Sequence, residues 1–318
     1  KTTNAGTEWS QTQFSGVRFK SLKFIDENLG YVLTDSNFVY KTTNGGVNWE
    51  IQSLNGSYMI SFDFTDANNG FVSGHYLKFY RTTDGGANWI SSSRNIFEVD
   101  FVDANTGYAT VLNILSSNII KTTNAGLNWS IVYTRDTSSL NDLFFINNNT
   151  GWVLGEKNRT INIYDGFILK TTNGGDNWVT QFTNTIRNLN SIDFIENNKG
   201  YAVGENGFII KTTNGGINWL SDMTPYSKDL NSVQMIDDNN CISVGDSIIM
   251  KTISNGMYWG TQNSIQYSLN SVFFLNSSTG FIVGDVGRIY KTLNGGGNVV
   301  SISATTNGIP IPFSLSQN

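Results

Sequence analysis

The feature that most constrains this chain is a nine-residue box that recurs almost unchanged along it. Copies begin at Lys1, Lys41, Arg81, Lys121, Lys170, Lys211, Lys251 and Lys291, running from "KTTNAGTEW" and "KTTNGGVNW" to "KTISNGMYW" and "KTLNGGGNV". Their starts lie 40, 40, 40, 49, 41, 40 and 40 residues apart. A fixed period of this size denotes an array of one supersecondary unit, which buries its core only by stacking on its neighbours. A second landmark returns seven times between the boxes, as in "LKFIDENLGYV" (22–32), "FDFTDANNGFV" (62–72) and "IDFIENNKGYA" (192–202).

Each unit reads as four short strands. An apolar run leads into an Asx-rich turn that closes on Gly, and a second strand follows. A third strand ends at the Lys-Thr of the box, and the box Trp opens the fourth. Short strands between turn signals, without helical periodicity, specify an all-β fold, and units of this length are propeller blades. Eight boxes stand against seven inner landmarks. Residues 7–14 ("TEWSQTQF") are therefore expected to supply the outer strand of the last blade, which closes the ring and removes exposed sheet edges. The eighth box agrees, since Val299 stands where Trp would be. The expectation is a seven-bladed β-propeller of four-stranded blades over residues 1–300, with 301–318 as a linker.

The box residues have local reasons. A short Asn or Asp side chain satisfies amides within its own turn, Gly takes dihedrals that a Cβ forbids, and Trp buries a large ring yet keeps an N–H for a carbonyl. A phosphate-binding reading of the Gly-Gly pair would need a following helix, which the pattern lacks. These segments resemble Asp-box (BNR-type) repeats, whose Ser/Thr-x-Asp-x-Gly-x-x-Trp pattern falls on Thr42, Asn44, Gly46 and Trp49, then on Thr82, Asp84, Gly86 and Trp89. Trp129, Trp178, Trp219 and Trp259 hold the same place in later copies, and most copies have Asn where that family prefers Asp. With "GYAVGENGFIIKTTNGGINW" (200–219) as its clearest copy, the whole chain is also similar to the photosystem II assembly factor family of seven-bladed propellers. Sialidases, xyloglucanases and sortilin-type receptors share Asp-box propellers, so the resemblance implies the fold and leaves function open.

Composition narrows the function classes. A formal net charge of −5 argues against a general nucleic-acid binder, and no apolar run approaches the roughly 18–20 residues of a membrane span. The single cysteine, Cys241, reads as a small buried apolar residue. The single histidine, His75, has no metal-ligand or nucleophile pattern around it. No metal or cofactor is expected. Sialidases need an arginine triad introduced by a Phe/Tyr-Arg-Ile-Pro segment, which is missing. Glycosidases need paired carboxylates. Asp63, Asp100 and Asp193 lie on first strands but occupy equivalent repeat positions, which points to structure, and the chain is read as a non-enzyme.

A binding site is expected on the face opposite the boxes, where the inter-blade connections meet the turns between second and third strands. Two such turns are lengthened, most of all in the fourth unit by "GEKNRTINIYDG" (155–166), which brings Lys157, Arg159 and Tyr164. Insertions into a rigid array are where function concentrates. Arg18, Arg94, Arg135 and Arg187 fall in connections and Arg288 beside a turn, so the face is read as an anion- or protein-binding patch, with Asp136, Glu156, Asp229 and Asp285 interleaved. Tyr58, Tyr226 and Tyr267 read as scattered loop tyrosines rather than a sugar platform.

The first residue lies inside a repeat, so the chain is expected to be a processed form or a fragment. The tail "NGIPIPFSLSQN" (307–318) resembles the lead-in to a type IX secretion sorting domain, which implies an extracellular or outer-surface protein. The reading is a secreted, non-catalytic propeller that binds a surface protein or glycan or serves as a scaffold. A self-assembling homo-oligomer and a glycan-binding or glycan-hydrolysing propeller are the alternatives.

Overall fold

The computed structural model describes residues 8–56, 58–113, 116–136, 138–160, 163–185, 187–224, 226–295 and 298–301. They form seven sheets in a ring, antiparallel except at the outer edge of the last, and no α-helix occurs among them. Blade 1 runs outward through Phe19–Phe24, Gly30–Thr34, Phe38–Thr42 and Glu50–Ser53. Blades 2 to 6 repeat this plan, with first strands Met59–Phe64, Val99–Phe101, Ser138–Phe145, Leu189–Ile195 and Leu230–Met235. In blade 7, Leu269–Phe274, Thr279–Gly284 and Arg288–Leu293 are followed in space by the N-terminal strand Glu8–Gln13.

That closing strand sits in the register of every other outer strand. The box Lys faces the residue after the Trp, as Lys41 faces Glu50 in blade 1, and Lys291 faces Ser10 in the same way. One strand was not foreseen. Asn298–Ser301, which begins with the last two residues of the eighth box, lies parallel outside the N-terminal strand, with Val299 beside Trp9, so this sheet has five strands.

The inner landmark explains the blade contacts. Phe24 at the end of a first strand lies flat on Phe281 of the preceding blade, with ring centroids 3.7 Å apart. Tyr31 and Phe64, Phe71 and Phe101, Tyr108 and Phe145, and Trp152 and Phe194 repeat the stack at 3.5–3.6 Å. The other side of each Phe presses on its own blade's turn glycine. A Cβ on Gly30 would lie 2.5 Å from the Phe24 ring, and one on Gly200 would lie 2.5 Å from Phe194. Blade 6 makes the complementary choice, with Met235 in place of Phe and Cys241 in place of Gly, paired across the strands. Cys241 is buried, as its small apolar reading required, and burial raises its thiol pKa well above the usual value. Each buried ring contributes roughly 1.5–3 kcal/mol.

The box is the turn staple that its residue types suggest. In blade 1, Thr42 donates from its hydroxyl to Asn44 Oδ1 at 3.0 Å and accepts the Gly46 amide at 2.9 Å, while Asn44 Oδ1 accepts the Asn48 amide at 2.8 Å. Asp84 does the same for Thr82 and Asn88, and these donors hold its carboxyl down at about 2. Trp49 and Trp129 donate to their own box glycines' carbonyls at 3.1 Å. The box Lys has a role that spacing did not disclose. Lys41 Nζ donates to Gly85 O of the next blade's box at 3.0 Å, Lys121 to Gly174 O at 2.9 Å, and Lys291 to Gly45 O, which carries the clasp across the ring closure.

The fourth-unit insertion is ordered strand rather than loop. It extends the second and third strands to Gly151–Thr160 and Ile163–Thr171, paired as far as Asn158 with Tyr164 and Thr160 with Ile163. The linker expected at 301–318 and its sorting-type tail lie, from 302 onward, outside the described residues.

Candidate functional site

The first strands line the central channel and are the inner edges of their sheets, so their backbone groups need partners. Side chains of the preceding blade supply them. Asp63 Oδ2 accepts the Phe101 amide at 2.8 Å, Asp100 the Phe145 amide at 2.6 Å, Asp142 the Ile192 amide at 2.9 Å and Asp193 the Met235 amide at 2.6 Å. One layer toward the mouth, Asn190, Asn231 and Asn270 donate from Nδ2 to the carbonyls of Leu230, Leu269 and Phe19 at 2.6–2.9 Å. The three aspartates singled out in the repeat are thus inter-blade ties. Asp142 and the asparagine ladder complete a girdle whose signal was already present in "LNSIDF", "LNSVQM" and "LNSVFF".

Burial dominates the electrostatics of this girdle. It pushes Asp142 and Asp193 up to about 7, and with the Asp142 charge it pushes Glu98 up to about 8. Asp100 is raised by burial and by the neighbouring Asp63 charge. Burial works to lower Lys23, but its ion pair with Asp63 outweighs this and holds the ammonium above its ordinary value. Above neutrality the channel is therefore acidic, and Asp63, Asp100, Asp142 and Asp193 are each committed to a backbone amide of the next blade rather than paired across a bond to be cleaved. No cluster of His, Cys, Asp and Glu suited to a metal occurs among the described residues.

The channel opens on the face opposite the boxes into a cavity of about 410 Å³. Arg18, Lys20, Ile60 and Phe97 line one side of the mouth, and Asn141, Asn190, Asn231 and Asn270 line the other. Of the arginines, Arg18 lines it. Arg18 donates from Nε to Asp285 Oδ1 at 2.7 Å, and that carboxylate also accepts Asn270 Nδ2 at 3.0 Å. Arg288 lies over the Tyr267 ring at 4.2 Å and donates to Gln11 Oε1 at 3.2 Å. Arg135 lies over Phe167 at 3.9 Å and Arg187 over Phe208 at 5.5 Å. Arg94 instead reaches the Leu127 carbonyl of the next blade's box at 3.4 Å. Lys157 is exposed on the lengthened hairpin, while the side chains of Arg159 and Tyr164 lie outside the described part.

Of the interleaved acids, Asp285 is engaged by Arg18 as above, and Asp229 accepts the Asn206 amide at 2.8 Å. A guanidinium laid on a ring keeps its planar donor fork pre-ordered, so it loses less entropy on meeting a carboxylate.

Comparison with known proteins agrees with this architecture. Residues 172–309, less than half of the chain, match the family model described as "Photosynthesis system II assembly factor YCF48". No curated protein matches the chain. Among solved structures it is similar to "YCF48 bound to D1 peptide", at 19% identity and a TM-score of 0.73, over 90% of this chain and 94% of that one. It is similar also to YCF48 from Cyanidioschyzon merolae, at 19% identity and 0.71, over 89% and 98% of the two chains. The WD40 β-propeller domain of Doa1 follows at 11% identity and 0.66, over 88% and 94%. At these identities the structures establish the fold. The family match also corrects the extracellular location expected from the tail, because the model that matches is that of a photosystem II assembly factor rather than of an exported surface protein. What the sequence and structure establish together is a seven-bladed, four-stranded, BNR-type β-propeller similar to YCF48.

Proposed function

We propose that this chain is a non-catalytic, protein-binding propeller of the assembly-factor kind, which holds an extended acidic segment of a partner across the face that carries the channel mouth. The observation that carries the reading is the set of guanidinium groups laid on aromatic rings there: Arg135 on Phe167, Arg187 on Phe208 and Arg288 on Tyr267. The likeness to a structure described as YCF48 bound to a D1 peptide supports a peptide as the kind of ligand. The commitment of Asp63, Asp100 and Asp193 to backbone amides supports the absence of catalysis. The propeller unit is assigned to residues 1–300, with a linker at 301–318.

The test is a titration with a fluorescein-labelled peptide of alternating Glu and Gly. Binding weakens as salt rises, and Arg135→Ala/Arg187→Ala loses roughly tenfold or more in affinity. Binding unchanged by both salt and the double substitution contradicts the reading.

A second reading, self-association, is favoured by one observation. The strands following the first and eighth boxes lie side by side at the closing edge, with Trp9 beside Val299, so either can occupy that edge and the other can be offered to a second copy. Light scattering over a concentration series tests this, and a monomer mass throughout contradicts it.

A further inference from the structure

The turn between the second and third strands of blade 2 departs from its counterparts. In blade 5 this turn is Glu205–Gly207 and in blade 7 Asp285–Gly287, and its last two residues are left-handed: Asn206 at φ 55° and Gly207 at 68°, Val286 at 55° and Gly287 at 67°. Glycine is required there, since a Cβ on Gly207 would lie 1.9 Å from Tyr226 O and one on Gly287 would lie 1.8 Å from Phe14 O. Blade 2 has His75, Tyr76 and Leu77 at the same places, and Tyr76 and Leu77 keep the left-handed φ at 60° and 61°. Tyr58, on the connection leading into the blade, is left-handed as well at 57°. Non-glycine residues rarely adopt this region, and such conformations gather where a protein uses them.

The outcome is a surface cluster of rings. Tyr58 and His75 lie 6.5 Å apart, Tyr58 and Tyr76 6.1 Å, and His75 and Tyr76 6.2 Å, mutually inclined by 56–76°. Tyr76 is 75% exposed, Tyr58 59% and Leu77 50%, so large apolar side chains are held in water by a backbone that glycine would suit better. Backbone bonds from His75 N to Tyr58 O and from Arg94 N to Leu77 O, both 3.0 Å, tie the cluster to two connections of the arginine-bearing face. The segments that build it, 54–60, 74–79 and 90–97, contain no Asp or Glu and bring Lys78 and Arg94.

We propose that Tyr58, His75, Tyr76 and Leu77 form an aromatic anchor for a proline-bearing acidic segment of the partner protein. Proline rings pack on exposed aromatic faces, and a polyproline-type segment arrives already extended. Lys78 and Arg94 are the formally charged residues of these three segments, and they favour carboxylates over cations in the arriving segment. This assignment rests on the protein-binding reading above and adds the partner's proline chemistry to it.

The experiment grafts the blade 5 turn onto blade 2 as His75→Glu/Tyr76→Asn/Leu77→Gly, a sequence this fold already accommodates. Labelled peptides of alternating Glu-Pro and alternating Glu-Gly are titrated against the native protein, the graft and Arg135→Ala/Arg187→Ala, with maltohexaose as a neutral-sugar control. The native protein favours Glu-Pro over Glu-Gly, and the graft, with its melting temperature unchanged or raised, loses roughly tenfold or more for Glu-Pro alone. Equal binding of the two peptides that the graft leaves untouched, while the arginine variant still weakens both, overturns the anchor and spares the protein-binding reading. Loss of both peptides with no effect of the arginine variant overturns that reading instead. Saturable binding of maltohexaose that the graft abolishes makes the cluster a sugar platform and overturns the peptide assignment.

Discussion

Replacing Gly200 with Cys forces a side chain into a filled stack. The new Cβ would stand 2.5–2.6 Å from the Phe194 ring, whose opposite side lies on Trp152 at 3.6 Å and whose edge meets Trp219 at 5.8 Å. The ring has no direction in which to withdraw, so the cost falls at the upper end of the overpacking range, about 3 kcal/mol. Phe194→Met gives up the ring contacts and costs about 1.5 kcal/mol. Together the two changes reproduce the Met235–Cys241 pair of blade 6, so the double variant loses less than the sum by about 2 kcal/mol. Guanidinium unfolding followed by tryptophan fluorescence reads this as a shift in midpoint at constant slope. Additivity within about 0.5 kcal/mol would show that the ring and the turn residue are independent and would refute the packing argument.

Two further predictions concern the ring. Asp142 and Asp193 sit near 7 and Glu98 near 8 when folded, against unfolded values of about 4. The native state therefore binds more protons over that window, and stability is greatest at its acid end and falls as pH rises through the folded values. Asp193→Asn keeps an acceptor for the Met235 amide and removes the titration. It flattens the pH dependence and gains on the order of 1–2 kcal/mol at pH 8, and an unchanged slope in urea melts at pH 5 and pH 8 contradicts this. Lys291→Met removes the clasp onto the Gly45 carbonyl between blades 7 and 1. It costs about 1 kcal/mol, matched by Lys121→Met at the Gly174 carbonyl, and a closing clasp worth nothing in the same melts contradicts the continuity of the ring.

The fold was legible because each blade restates it. The box and the inner landmark fix four strands per unit, and the surplus box at the N-terminus correctly placed Glu8–Gln13 in the last blade. What escaped the reading lies between blades, where no single repeat shows its partner. The Lys clasp and the asparagine ladder act from one blade onto the next, and periodicity marks such residues without saying what they touch. The length of the fourth insertion suggested a loop, but pairing between its own two arms made it a hairpin.

At the candidate site the arginines were visible as residue types, though Arg135, expected in a connection, lies inside the outer strand Ser130–Asp136 paired with Ser117, and their aromatic seats, Phe167, Phe208 and Tyr267, were not visible. Tyr58 read as an isolated loop tyrosine because its neighbours His75 and Tyr76 arrive from a different turn. The tail misled about location because a short resemblance was weighed without the family match.

The most direct measurement of the central claim is backbone hydrogen exchange of the native protein with and without the Glu-Gly peptide at saturation. The account predicts added protection in the connections around Arg18 and Arg187 and at the strand end that carries Arg135, and none in the box hairpins on the opposite face. Protection confined to the boxes, or spread evenly around the ring, would contradict it.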